Sequence, residues 1–283
     1  MTAMTAPGAA PRASRAPRIH GKQTFGRALR SEWIKLRSLR STWITSAIAM
    51  AITVLFGAGI AIATSKSSDP ETAATAGDNI INGTPFGQIA VAVLAALIIT
   101  GEYSTGQIRS TLMGVPRRRT VFLAKTIVIS IFSLALGSVS ILLSWAISAP
   151  FAGNAQHSIF DAHHLGFIWG AGLAFSGIAL ASVGVGFLCR SIAASITIIL
   201  VALFVLDIPV QILAYKWDWM VNVQAMLPLN VSGAVSDPFG VSHTWGVPGT
   251  SSCIEQWQAV AVFAAWALIP LLGGWLRFWR SDA

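Results

Sequence analysis

Side chains able to do chemistry are sparse in this sequence, because only 11% of its 283 residues are charged. The apolar runs contain no pair of neighbouring acids and no H-E-x-x-H motif, as an intramembrane hydrolase would need. A G-x-x-x-x-G-K-[ST] phosphate-binding loop is also missing. We therefore expect no catalytic residue, and no cofactor or metal bound by the chain itself.

Asp207 is the one acid well inside a late apolar run, in the stretch FVLDIPVQ. Ionisable groups at membrane depth are often functional, which makes Asp207 a candidate for a transport pathway. Pro209 follows two residues later and interrupts helices. The alternative is therefore that Asp207 satisfies backbone groups freed by the proline, or lies near the outer surface.

A second polar group, HSIFDAHH, places Asp161, His163 and His164 close together, with His157 nearby. Metal sites need converging ligands, and adjacent histidines diverge on a regular element. We expect a solvated loop here rather than a metal site. The two cysteines, Cys189 and Cys253, are expected on opposite sides of the membrane and should not pair.

The polar segment GEYSTGQIRSTLMGVPRRRT, residues 101–120, separates two apolar runs. Ser104 and Gln107 have the spacing of a helix capping box, while Gly114 and Pro116 supply a stop. This predicts a helix of about two turns. The apolar residues Ile108, Leu112 and Met113 would be exposed, as a docking helix requires. The alternative is a loop whose arginines, Arg117 to Arg119, only fix topology.

An amphipathic pattern precedes the first long apolar run. Its apolar residues recur at helical spacing, at Phe25, Leu29, Trp33, Leu36 and Leu39, and basic residues occupy the other faces. The pattern predicts an interfacial helix over residues 25–42. Such a helix either braces the first span and borders a partner, or only anchors the chain to anionic lipid.

The elements that must position these residues are membrane spans, since 54% of the chain is hydrophobic and its mean hydropathy is +0.66. We predict an all-α polytopic membrane protein. Its six spans are Trp43–Thr64, Phe86–Thr100, Val121–Ala149, Leu165–Leu188, Ile192–Ala214 and Trp257–Leu276, which together form a domain over 43–276. Residues 1–24 are expected to be a disordered cytosolic tail rather than a signal peptide, and residues 277–283 a second cytosolic tail.

The basic residues are distributed unevenly between the two sides of these spans. All 19 lysines and arginines except Lys66 and Lys216 fall in the segments on the side of the termini. This asymmetry predicts a multi-pass protein with both termini in the cytosol, and it argues against nucleic acid as the partner of the positive charge. The longest outer segment, 217–256, is expected to hold short helices.

Several of these stretches resemble the permease subunits of ABC-2 type transporters, particularly the six-span permeases of actinobacteria. The closest are LRSEWIKLRSLRSTW and GEYSTGQIRSTLMGVPRRRTVFLAKTIV; MLPLNVSGAV and LRFWRSDA are weaker. The resemblance implies an exporter in the bacterial plasma membrane, surrounded by lipid. It also implies a second permease copy, with spans one and five at the dimer seam, and a separate ABC ATPase that binds ATP and Mg.

By position, the resemblance assigns residues 104–113 to a coupling helix that docks on the ATPase, and residues 25–42 to an elbow helix. The docking residues it implies are Glu102, Ser104, Gln107, Ile108, Arg109, Leu112 and Met113. Two other classes remain open from the sequence: a membrane-embedded enzyme, or an ion-driven secondary transporter, which would show inverted repeats and several buried ionisable groups. A scaffold that tethers a partner without transporting is a further alternative.

Overall fold

A computed structural model describes residues 24–115, 117–152, 158–239, 244–245 and 254–280 of the chain. The predicted tail over 1–24 lies almost wholly outside the described residues, as do His157 and Cys253. The helices in the described ranges are α1 (Phe25–Ser38), α2 (Arg40–Ser65), α3 (Pro70–Ala74), α4 (Thr84–Ser104), α5 (Gln107–Gly114), α6 (Arg118–Ala152), α7 (Ala162–Cys189), α8 (Ile192–Leu200), α9 (Asp207–Ala214), α10 (Trp219–Ala225), α11 (Pro228–Ser236) and α12 (Gln256–Arg280). Two two-residue strands, β1 (Thr244–Trp245) and β2 (Ile254–Glu255), pair antiparallel.

Within the described ranges, six helical segments are long and apolar enough to cross a membrane, which confirms the all-α polytopic fold. These are Arg40–Ser65, Ala76–Ser104, Arg118–Ala152, Ala162–Cys189, Ile192–Ala214 and Gln256–Arg280. The second differs most from its predicted bounds. A 3₁₀ segment, Ala76–Gly83, precedes α4 without a break, and Pro85 stands in the first turn of α4.

Helix α7 is the centre of the bundle and packs against α4, α6, α11 and α12. Its small residues permit close crossing. Gly170 lies against the backbone of α11, and Gly184 lies against the backbone of α12 at Pro270. Small residues of this kind let helices approach closely within a membrane.

The fifth span is not one continuous α-helix. A π-helical segment, Val201–Val205, separates α8 from α9, and the N–H of Leu206 donates to the carbonyl of Val201 at 3.0 Å. Pro209 has no N–H for the usual bond to the residue four positions earlier. The proline thus accounts for the disturbed hydrogen bonding just before it.

The outer segment after the fifth span forms α10 and α11, as the sequence predicted, but α11 does not lie at the surface. Most of its residues are buried against α4, α7 and α12. Gln88 of α4 donates from Nε2 to Ser232 Oγ of α11 at 3.1 Å, and both residues are buried. This polar pair fixes α11 within the helical bundle.

The two ends of the bundle differ in charge. One end, here called the basic end, comprises α1, α5, the start of α6 and the end of α12. The opposite end, here called the acidic end, brings together the 3₁₀ segment, the start of α7 and the residue that follows α11. There His163 lies 3.7 Å from a carboxylate oxygen of Asp78 and 3.3 Å from one of Asp237.

Candidate coupling site

Four charged side chains meet inside the basic end, and we call them the charged cluster: Glu32, Lys35, Glu102 and Lys125. Lys125 of α6 is only 2% exposed and donates from Nζ to Glu102 Oε1 at 2.5 Å and to Glu32 Oε2 at 2.6 Å. A buried ammonium needs such partners, because removing a charge from water costs several kcal/mol. The cluster therefore ties α1, α4 and α6 together.

Lys35 extends the charged cluster to α5. Its Nζ donates to Glu32 Oε1 at 2.9 Å, to Glu102 Oε1 at 3.4 Å and to Thr111 Oγ1 at 3.0 Å. Burial by itself lowers the pKa of Lys35, but the hydrogen bond that Lys35 donates to Glu32 and the charges of Glu102 and Glu32 outweigh it, so the pKa is raised. Lys35 is therefore firmly cationic at neutral pH. It links α1 directly to the short helix α5.

Helix α5 begins later than the sequence predicted. Ser104 is the last residue of α4, where its hydroxyl donates to the carbonyl of Gly101, so its prediction as the cap of α5 is wrong. The residue before α5 is Gly106, whose φ of +70° is a left-handed conformation that suits glycine. This turn redirects the chain, and α5 ends at Gly114 as the predicted stop required.

The apolar side chains of α5 do not all face outward. Ile108 is 4% exposed and belongs to the hydrophobic core, so the prediction that it is exposed is wrong. Leu112 is half-buried against the same core, whereas Met113 is 80% exposed. Gln107 and Arg109 are also exposed. The free surface of α5 is therefore mixed in polarity, with Met113 as its prominent apolar group.

Helix α1 has an inner face and an outer face that the apolar pattern alone did not separate. Ala28, Glu32 and Leu36 are buried, at a spacing of four residues, and Leu29 packs partly against the core. Phe25, Trp33 and Leu39 remain 43–45% exposed. The helix ends at Ser38, and Leu39 separates it from α2, so the predicted single segment over 25–42 contains a break.

Arginines of the first turn of α6 contact the end of α12. Arg118 donates from Nη1 to the carbonyl oxygens of Phe278 at 2.9 Å and Trp279 at 3.2 Å, and the guanidinium of Arg119 lies 4.4 Å from the Trp279 ring. Positive charge at a helix C-terminus is favourable. These residues thus join the start of the third span to the end of the sixth.

Asp207 and the histidines lie outside the charged cluster. Asp207 opens α9 and accepts a 2.9 Å hydrogen bond from Asn230 of α11. His163 bridges two acids, and His164 is buried, so the predicted solvated loop is wrong for both. Burial raises the pKa of Asp237, an effect that the charge and hydrogen bond of His163 partly oppose. The described residues contain no group of three or more candidate metal ligands.

Sequence reasoning found Glu102 but missed its three charged partners. The sequence did indicate a buried partner for Lys125, since this residue is a cation several residues inside an apolar run. A weaker indication for Glu32 is that it lies midway between Ala28 and Leu36 on one helix face. Charged residues on a buried face are uncommon unless they are paired.

Comparison with protein families identifies the group to which this architecture belongs. The family model described as an ABC-2 family transporter protein matches residues 28–206. The chain belongs to the ABC-2 transporter family. The matched range of this ABC-2 family protein includes all four members of the charged cluster and the whole of α5, and it ends one residue before Asp207. A search of curated proteins finds no match.

Proposed function

We propose that the chain is the permease subunit of an ATP-driven exporter and that a separate ABC ATPase docks on α5. The observation that carries the proposal is the charged cluster, because buried ion pairs join α1, α4 and α6 and the part-buried bond from Lys35 to Thr111 connects them to α5. A helix held in this way cannot move without moving its neighbours. Family membership makes an ABC ATPase the expected partner, which would bind ATP and Mg.

The proposed transmission runs from α5 inward. Ile108 is buried in the core that also contains Ile99 of α4 and Phe122 of α6. Its side chain therefore packs α5 directly against the second and third spans. Lys35 and Thr111 supply a polar connection to α1. Closure of the ATPase subunits would shift α5 as a rigid body, and the shift would bias the bundle between two packings. Gln107, Arg109 and Met113 would contact the ATPase.

We propose further that two permease copies pair and that both termini lie in the cytosol of a bacterial cell. The fifth span supports the first point, because only 11% of its apolar window is buried within one chain. Span one, at 28%, and span six, at 22%, are also largely exposed. The basic end supports the second point, since lysine and arginine accumulate on the cytosolic side of bacterial membrane proteins.

Docking on α5 is tested by replacing Met113 with Asp and measuring copurification with a coexpressed ABC ATPase. We expect about a tenfold loss, because a charge would enter an apolar contact. Met113 is exposed, so the change should not disturb insertion. Phe160→Asp, at an exposed residue of the acidic end, is the matched control and should copurify normally. Full copurification of the Met113 variant would overturn the assignment of α5.

We propose Asp207 as a pathway residue because it follows the π-helical segment, where the fifth span can bend, and contacts α11. Asp207→Asn keeps the shape and still allows a bond from Asn230, so only the charge is lost. Export should fall while copurification with the ATPase is retained. Asp218→Asn, at an exposed acid of the same outer region, should leave export unchanged. Unchanged export in Asp207→Asn would remove this residue from the pathway.

A further inference from the structure

A cavity of about 320 Å³ opens beside the charged cluster, between α1, α2, α4 and α6. Its walls differ in character. Leu94, Leu97, Ile98, Val128 and Ile129 form an apolar side, while Thr42, Thr45 and all four residues of the charged cluster belong to a polar side. Its volume lies at the lower end of the range for ligand sites, which are typically apolar with a few placed polar groups. Docking of an ATPase on α5 would not by itself give this cavity a role.

Two buried polar atoms, each of a residue that lines the cavity, have no hydrogen-bond partner among the described residues. One is Glu102 Oε2, whose companion Oε1 accepts from both lysines of the charged cluster. The other is Oγ1 of Thr42, a residue that is 2% exposed. Buried polar atoms nearly always have a partner, because an unpaired one is costly. A ligand that supplied both bonds would remove this cost.

The charge balance restricts what that ligand is. Glu32 and Glu102 are matched in number by Lys35 and Lys125, so the cluster has no net charge to attract an ion. Glu102 Oε2 requires a donor, and the hydroxyl of Thr42 both donates and accepts. A neutral hydroxyl group meets both requirements. The apolar wall fits a hydrocarbon chain.

The position of the cavity indicates how such a molecule would reach it. Leu36 and Leu39 also line the cavity, and α1 exposes Phe25 and Trp33, as a helix lying in a membrane interface does. We propose that this cavity binds a neutral amphiphile with a hydroxyl headgroup, its oxygen between Thr42 and Glu102 and its chain against α4 and α6. The inference concerns this chain alone and does not depend on ATPase docking.

The test is photolabelling of the full chain in nanodiscs of phosphatidylcholine, which offers no free hydroxyl. The probe is hexadecanol with a diazirine on its chain, and labelled peptides are located by mass spectrometry. We expect labelling of α4 and α6 near Leu97 and Val128. Probes of the same length ending in a methyl or in a trimethylammonium group should label these peptides at least fivefold less, as loss of one hydrogen bond predicts.

Two threonines of the same cavity provide a matched pair of variants. Thr42→Val removes a hydroxyl that has no described partner, so it should weaken labelling about fivefold without lowering stability. Thr45→Val removes a hydroxyl that already donates to Ser41, at 2.6 Å, and should leave labelling almost unchanged. Equal labelling by the methyl probe, or no effect of Thr42→Val, would overturn the proposal.

A third variant distinguishes labelling from within the cavity from labelling by probe in the surrounding lipid. Leu97→Trp fills the apolar side and should abolish labelling of α4 and α6; persistent labelling would place the probe in bulk lipid and refute the site. Stronger labelling by the trimethylammonium probe would refute the neutral headgroup. A photoactivatable diacylglycerol tests the source: labelling by it indicates a membrane lipid, and labelling by hexadecanol alone indicates a free amphiphile. Either result supports the hydroxyl chemistry.

Discussion

Lys125 makes the charged cluster possible, because its single ammonium group forms ion pairs with carboxylates from two different helices. Replacement by Met keeps much of the side-chain volume but leaves Glu32 and Glu102 with only Lys35. Removing one partner of a buried ion pair costs about 3–5 kcal/mol, mostly because the remaining charge is stranded. We expect Lys125→Met to lower the thermal unfolding temperature of the purified chain markedly.

The stranded charge can be removed by a second change. Lys125→Met combined with Glu102→Gln restores equal numbers of acids and bases, so the double variant should be more stable than Lys125→Met alone. Lys66→Met, at an exposed lysine of the acidic end, should change the unfolding temperature very little. Additive losses in the double variant would show that the two residues do not interact as the distances imply.

The residue scale was the hardest to predict from sequence. Periodicity located α1 correctly, but it assigned polar residues to the solvent side, and so it could not tell that Glu32 points inward toward Lys125. The prediction that Ile108 is exposed failed for a related reason: an apolar residue on a short helix can pack either against a partner or in the core of its own chain. Only the tertiary packing of α5 against α4 and α6 decides between them.

Close crossings of helices decide the packing at the element scale, and the crossing of α7 with α12 is the clearest. A Cβ added at Gly184 would overlap backbone atoms of Pro270 and Leu271. Backbone cannot yield as a flexible side chain does, so Gly184→Ala should destabilise the chain by about 1–3 kcal/mol. Thermal unfolding in detergent measures this loss.

The matched control for that prediction lies on α2. Gly59 has open space around its Cα, so Gly59→Ala meets no atom and gains helix propensity. It should leave stability unchanged or raise it by up to about 1 kcal/mol. If Gly184→Ala and Gly59→Ala behaved alike, the close contact between α7 and α12 would not exist in the folded protein.

Elements were predicted more successfully than residues, because a membrane span is defined mainly by length and hydropathy. All six predicted spans correspond to observed helices. The largest error lies at the start of the second span. Asn79 and Asn82 are polar, so the apolar pattern did not predict the 3₁₀ segment that extends this span. Asn79 donates to Thr64 at 3.1 Å, a tertiary contact that lets polar residues continue a helical segment.

At the scale of the whole molecule, charge separates the two ends of the bundle. The arginines at the start of α6 meet the end of α12, while Asp78, His163 and Asp237 meet at the other end. Such polarity favours one insertion over its reverse, because basic segments are retained in the cytosol. The sequence predicted this asymmetry from counts of lysine and arginine. The charge distribution in the fold is consistent with the topology inferred from those counts.

The orientation that follows is testable with single cysteines in a background carrying Cys189→Ala and Cys253→Ser. Ser110→Cys probes the exposed side of α5, and Ser68→Cys probes the exposed turn after α2. An impermeant maleimide should label Ser68→Cys in intact cells and Ser110→Cys only after lysis, because α5 must face the cytosol to reach an ATPase. Labelling of Ser110→Cys in intact cells would place the charged cluster at the outer surface, where no nucleotide-driven partner is available, and the proposed coupling would then be physically impossible.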